Sequence, residues 1–379
     1  MNAKRWTISL ISIVLVCLLV IMSMNYFVDP YGYFAAQSGD EYSLDENDYL
    51  RELKAEHIKH FNDRYDAYFI GGSKGGAVLP SKLKELDGYN YYNCWVLSGN
   101  FPDYLAYAQY IVENTNAKKI LLQISSSELY EFNREDYGTI YEVPAVLTGE
   151  PKIEEIITFL MKNPKTAWED LTVKRSVYPC KETGERDLDH YYDFRNKNIE
   201  NGKFYQYMMD NSDKYYKYFD KDLTDISDNA TECINILKQI KQLCEENGVE
   251  LQVYFASLFA GQMIQYESET FYDFMEEVVM ICGPVWCFNT YNEIALCPYN
   301  FYNPSHFFFE VGDAMVDVMA GKENPVEGFG ILLNRTNVGT EIEKRKKEYE
   351  KWHQYYMANG TLPYLGQDTP AYISNVYMP

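Results

Sequence analysis

The sequence predicts an α/β protein: a parallel sheet covered by helices on both faces, preceded by one transmembrane helix. Three observations carry that reading. Short apolar strand candidates alternate with segments of helical periodicity, which implies parallel strands joined by helical crossovers. The first strand candidate breaks into a glycine-rich turn, Gly71-Gly72-Ser73-Lys74-Gly75-Gly76, as chains do where they leave the carboxyl edge of such a sheet. An uncharged apolar run from Trp6 to Met24 precedes everything else, long enough to cross a hydrocarbon core of about 30 Å.

Taken in order, Lys4 and Arg5 stand before the apolar run. The bias of basic residues toward the inner face predicts a cytoplasmic N-terminus, with the main domain outside the cell membrane on a single-pass anchor. A cleaved signal peptide is the competing reading, but Asn25-Tyr26-Phe27-Val28-Asp29-Pro30 offers no small-x-small site, which favours an uncleaved anchor. The expected organisation is a cytoplasmic tip over 1–5, an anchor over 6–25, a stalk over 26–60, a domain over 61–320 and a C-terminal extension over 321–379 packed on it.

Within the domain, strands are predicted at Ala67–Ile70, Tyr91–Leu97, Lys119–Ile124, Val249–Phe255 and Val285–Phe288, with helices at Tyr104–Val112, Thr231–Cys244 and Phe271–Ile281. The alternation fails over 133–222, which is read as a helical insertion after the third strand. It is either a cap over the carboxyl edge, where ligands bind in open sheets, or a surface excursion. In the extension a helix is predicted from Thr340 to Met357, with Tyr349, Trp352 and Tyr356 packing inward.

A net charge of −22 argues against a nucleic-acid partner. Tyrosine is abundant at 36 residues, and an apolar ring with a hydroxyl suits stacking on sugar in a wet groove. Of the cysteines, Cys233 and Cys244 follow helical spacing and read as core. Without paired CxxC spacing, a metal site is not expected, and no motif calls for a cofactor.

The residues that suggest chemistry are Ser73 in its glycine turn, the Ser98-Gly99-Asn100 turn after the second strand, and His306 in Tyr302-Asn303-Pro304-Ser305-His306. A serine hydroxyl is a weak nucleophile until a base lies within reach and donors await the developing charge. Of five histidines, His306 follows the last predicted strand. His57 and His60 are expected to face solvent on the stalk helix, His190 neighbours Asp187 and Asp189 without metal-site spacing, and His353 lies in the tail helix. The bland alternatives are that Ser73 satisfies a turn N–H, His306 bonds to backbone, Gly99 only turns the chain, and Lys74 is solvated.

In order and spacing, the anchor, these turns and the late histidine resemble the SGNH/GDSL hydrolase superfamily, over roughly Tyr65 to Met319. The nearest resemblance is to membrane-anchored members related to the D-alanine transfer protein of teichoic acid synthesis and to polysaccharide O-acetylation proteins. The resemblance implies a three-layer flavodoxin-like sheet, Ser73 as nucleophile, His306 as base, and the N–H groups of Ser73 and Gly99 as oxyanion donors. Lys74 and Asn100 are candidate substrate contacts. It further implies an ester on a cell-envelope glycan or teichoic acid-like substrate, and a multipass membrane acyltransferase as partner.

Two departures matter. Asn303 stands where the family has its aspartate, and the third block, which carries an asparagine donor, is replaced by Ser125-Ser126-Ser127-Glu128. Exchanging aspartate for asparagine in a serine protease triad costs about 10⁴-fold in rate. A catalytically impaired relative that binds glycan or a membrane partner is therefore the alternative, and Glu310, Asp313 and Asp317 are the carboxylates that could substitute.

Overall fold

The computed structural model describes residues 3–39, 49–130, 132, 143–172, 180–200, 203 and 227–363. Much of the expected insertion, and 40–48 of the expected stalk, lie outside the described residues. Among the described residues a single helix, Ala3–Val28, is long and apolar enough to cross a membrane. Its 26 residues span about 39 Å at 1.5 Å each.

The sheet contains β1 (Ala67–Ile70), β2 (Tyr91–Asn93), β3 (Lys119–Ile124), β4 (Glu250–Phe255) and β5 (Val285–Cys287), parallel and in the order β2-β1-β3-β4-β5. Strand bounds for β1 and β3 match those read from the sequence, because each centres on a run of apolar residues, Ala67–Ile70 and Ile120–Leu122, and every residue of both strands is buried. Ala67, Phe69 and Leu121 face one core, and Tyr68, Ile70, Ile120 and Leu122 face the other. Burial on both faces is why these strands read as continuous apolar runs. The helices Phe101–Asn114, Ser227–Glu246 and Glu269–Cys282 cover the second face, while Pro80–Asp87 and Phe309–Met319 cover the first. Cys233 and Cys244 are buried in the second core, and all eight cysteines are free thiols.

Two further pieces of β-structure were not legible. A short hairpin, β6 (Phe301–Asn303) and β7 (His306–Phe307), carries the late histidine. Strand β8 (Ile331–Leu333), from the C-terminal extension, adds antiparallel to β5. The tail helix Val338–Asn359 follows and is pinned by buried Arg345, whose Nε donates to Glu267 Oε2 at 3.0 Å.

The expected stalk is corrected by packing. The helix Leu50–Phe61 is buried from Leu50 to Ile58 and forms part of the domain. Several of its polar side chains find partners outside the helix. Arg51 forms two 3.1 Å bonds to Asp103, and Lys54 donates to the carbonyls of Asn93 at 2.8 Å and Gly184 at 2.7 Å. His57, expected in solvent, is buried, stacked on Tyr92 at 4.6 Å, with Nε2 2.9 Å from the Tyr65 hydroxyl. His60 is half-buried against the Gln37 carbonyl.

Candidate functional site

The neighbours of β1 lie in opposite chain directions, with β2 on one side and β3 on the other, which opens a crevice at the carboxyl edge. There the chain leaves Ile70 through Gly71 and Gly72 into a five-residue 3₁₀ turn, Ser73–Ala77. None of Gly71, Gly72, Gly75 and Gly76 adopts positive φ, so the turn does not use their freedom to reach the left-handed region. They are needed for room. A Cβ on Gly75 would lie 2.4 Å from the Phe69 ring, and one on Gly99 would lie 3.0 Å from the Gly72 Cα. Two bare turns therefore touch beside Ser73.

His306 reaches the same place from the β6–β7 hairpin. Its Nε2 is 2.7 Å from Ser73 Oγ, and its Nδ1 is 2.7 Å from Asn303 Oδ1. The Ser305 backbone N–H donates to that same Asn303 oxygen at 3.0 Å. An atom that accepts from a backbone N–H is the amide oxygen, so His306 Nδ1 must carry the proton and Nε2 must accept from the serine hydroxyl. This is the tautomer a general base needs. Burial pushes the imidazole pKa well below its usual 6.5, and the charges of Arg186 and Lys74 push in the same direction.

Behind the pair, Arg186 lies over the Trp95 ring at 4.2 Å, hydrogen-bonds the Tyr302 hydroxyl, and approaches the Ser73 carbonyl at 3.4 Å. The Tyr302 ring stacks on His306 at 5.4 Å, and Tyr191 stacks on Tyr302 at 4.3 Å. Arg186 and Tyr191 belong to the insertion, so its described part 180–200 supports the histidine from behind.

A polar cavity of about 140 Å³ opens onto Ser73 and His306, and is lined also by Lys74, Gly99, Ser127, Glu128 and Tyr266. Lys74 is buried rather than solvated, and its ammonium donates to Ser127 Oγ at 2.8 Å. Glu128 accepts from the Tyr104 hydroxyl at 3.0 Å and from the Ser125 N–H at 2.5 Å. Ser98, in the wall of the same cavity, holds φ 46° without being glycine, and such backbone persists where surroundings enforce it.

Two candidate roles change on this geometry. The Gly99 N–H donates to the Val96 carbonyl at 3.1 Å, so it is already committed within its turn. Asn100 does not line the cavity. It forms a capping box with Asp103 at the start of Phe101–Asn114, and its amide donates to the Glu128 carbonyl at 3.2 Å.

None of the alternative carboxylates replaces Asn303. Glu310 pairs with Arg195 at 2.9 Å, Asp317 pairs with Lys82 at 2.8 Å, and half-buried Asp313 faces the Lys82 charge. His190 packs at a tilt against Tyr191 at 3.8 Å, and His353 stacks on Tyr349 at 5.3 Å. Among the described residues no cluster of metal-ligating side chains forms. A second cavity of about 130 Å³, between β8 and the tail helix, is lined largely by apolar groups such as Met275, Ile331 and Ile342.

Sequence reasoning missed Ser127, Glu128, Tyr104, Arg186 and the ring of Tyr302. The first two directly follow β3 at the carboxyl edge, which was the available signal. Arg186 is 113 positions from Ser73 and carried none. Comparison with family models, curated proteins and solved structures found no match.

Proposed function

We propose that this chain is a membrane-anchored SGNH-like serine enzyme that hydrolyses or transfers an acyl ester, with its three-layer, flavodoxin-like domain outside the cell and its N-terminus in the cytoplasm. The observation that carries the reading is the hydrogen-bonded row Ser73–His306–Asn303, with its 2.7 Å contacts and fixed tautomer. In the proposed reaction, Ser73 Oγ attacks the ester carbonyl while its proton passes to His306 Nε2. The tetrahedral intermediate expels the alcohol, which takes the proton from His306. Water or an acceptor hydroxyl then repeats the sequence on the acyl-serine.

Negative charge on the former carbonyl oxygen needs donors. The Ser73 N–H opens a 3₁₀ turn, where the helical pattern assigns it no acceptor. Lys74 supplies the positive charge inside the cavity that the committed Gly99 N–H does not. Asn303 orients the imidazole as an aspartate would but leaves the imidazolium without a counter-charge, so the proposed enzyme is slow. The substrate class is an ester on a cell-envelope glycan, presented by a multipass membrane acyltransferase.

A second reading, a catalytically impaired protein that keeps the pocket for binding, is favoured by Asn303 and by the engaged Gly99 N–H. Treating the full-length protein with a fluorophosphonate separates the two. Labelling that disappears in Ser73→Ala supports the enzyme, and no labelling of folded wild type supports the binding role.

A further inference from the structure

Two helices of the insertion expose apolar side chains where the N-terminal helix meets the domain. On Ile153–Leu160, Ile153 is 68 % exposed and Ile157 is 51 % exposed, and Met161 continues the row one turn later. On Lys165–Thr172, Trp168 and Leu171 are 61 % and 63 % exposed. Steps of four and three residues set each group on one helix face, while Ile156 and Phe159 of the first helix turn to the core. Single exposed apolar residues are ordinary, but a row on each of two neighbouring helices marks a surface that something covers.

The N-terminal helix says what covers it. The side-chain amide of Asn25 donates to the carbonyls of Leu160 at 3.0 Å and Lys162 at 2.8 Å, which end the first insertion helix. Trp6 to Met24 spans about 28 Å at 1.5 Å per residue, close to a hydrocarbon core of about 30 Å. Asn25 therefore stands at the membrane boundary, and it pins the end of Ile153–Leu160 to that level. Tyr26 and Phe27 are exposed beside it, Phe27 by 82 %, as aromatic residues are at an interface.

We infer that Ile153, Ile157, Met161, Trp168 and Leu171 lie in the interface of the bilayer that the N-terminal helix crosses, as a second, non-spanning membrane contact. The occupant is lipid, and the attraction is apolar. Over 152–172 the acidic Glu154, Glu155, Glu169 and Asp170 offset Lys152, Lys162 and Lys165, so anionic headgroups add nothing. The inference rests on the N-terminal helix spanning the membrane and is independent of the serine chemistry.

The test uses full-length protein in phosphatidylcholine vesicles, carrying an environment-sensitive fluorophore on one cysteine. With half-buried Cys282 replaced by alanine throughout, native Cys17 reports the anchor, while Ile157→Cys, Trp168→Cys and Lys238→Cys, each combined with Cys17→Ala, report the two helices and a distant exposed site. Blue-shifted emission at 157 and 168, quenched by brominated lipid at least twofold more than at 238, supports the inference. Quenching equal to that at 238, with Cys17 quenched, overturns it. Blue-shifted emission that lipid does not quench also overturns it, because a protein or second copy then covers the face. Quenching that requires anionic lipid overturns the apolar drive. An unquenched Cys17 overturns the span itself.

Discussion

Asn303 accepts two hydrogen bonds on one oxygen, from the Ser305 backbone and from His306 Nδ1, at 3.0 and 2.7 Å. The hairpin thus determines which way round the amide sits, and the amide determines which imidazole nitrogen faces Ser73. Orientation is complete at this position; charge is not.

Asn303→Asp should restore the charge without disturbing either bond, since a carboxylate oxygen accepts equally well. The rate of fluorophosphonate labelling, or of ester turnover, is expected to rise at least tenfold, toward the roughly 10⁴-fold worth of the aspartate in a complete triad. An unchanged rate in a folded variant would count against the proposed reaction.

The low pKa of His306 sets a pH signature. A base that stays neutral below its usual 6.5 keeps accepting the serine proton in mild acid. Labelling should therefore stay level from about pH 8 to pH 6 rather than halve near 6.5. On stability the sign is the same: the unfolded chain takes up this proton first. The His306 contribution is complete above 6.5 and is lost as pH falls from there through the folded value. Denaturant titrations across that range, compared with His306→Gln, measure it.

Lys74→Met removes the cavity's ammonium while keeping much of its stem. Loss of one donor to a developing oxyanion costs about 10²–10³-fold in rate, and that is the expected fall in labelling. Ser127→Ala, which removes a hydroxyl bonded by Lys74 and Ser125 but leaves the ammonium in place, should leave the rate within about threefold by the same argument. Equal rates in wild type and Lys74→Met would remove Lys74 from the reaction.

Gly75→Ala tests the tight packing under the nucleophile. The new methyl must displace the Phe69 ring, 2.4 Å away, an overpacking that costs about 1–3 kcal/mol. Thermal unfolding should fall accordingly, and labelling of Ser73 should fall with it because the turn is shifted from His306.

Glu52 is buried with one oxygen lacking a partner among the described residues, and burial pushes its carboxyl up to about 8. The folded chain holds that proton where the unfolded chain has released it, so stability is greatest below the usual 4.5 and is lost as pH rises through 8. Glu52→Gln should match wild type at about pH 5 and exceed it by roughly 2–4 kcal/mol at about pH 9, since tenfold in proton affinity is about 1.4 kcal/mol.

The apolar elements were legible because pattern and burial coincide there. Each residue of β1 and β3 is buried, and the helix predicted at Phe271–Ile281 is found at Glu269–Cys282. The helix Leu50–Phe61 was legible as a helix but not as buried, because its burial includes Arg51, Glu52, Lys54, Glu56 and His57. Buried polar groups are permitted by partners distant in sequence, which a local pattern does not reveal. Lys74 was misjudged for that reason. Strand β8 was lost because three residues at a sheet edge, with Leu332 exposed, form no periodic signal. Ser73 and His306 could be singled out because glycine context and a late turn are local features; their 2.7 Å contact depends on the β6–β7 hairpin packing against the edge of the main sheet.

The 233 positions between Ser73 and His306 also order events in time. On the ribosome the serine is made early and waits, without its histidine partner, through four further sheet strands and the insertion. Only when the β6–β7 hairpin has emerged and folded back across the sheet does the hydroxyl acquire a partner. Chains cut short before that hairpin lack the Ser73–His306 contact, so the pair is completed only once nearly the whole domain has been made.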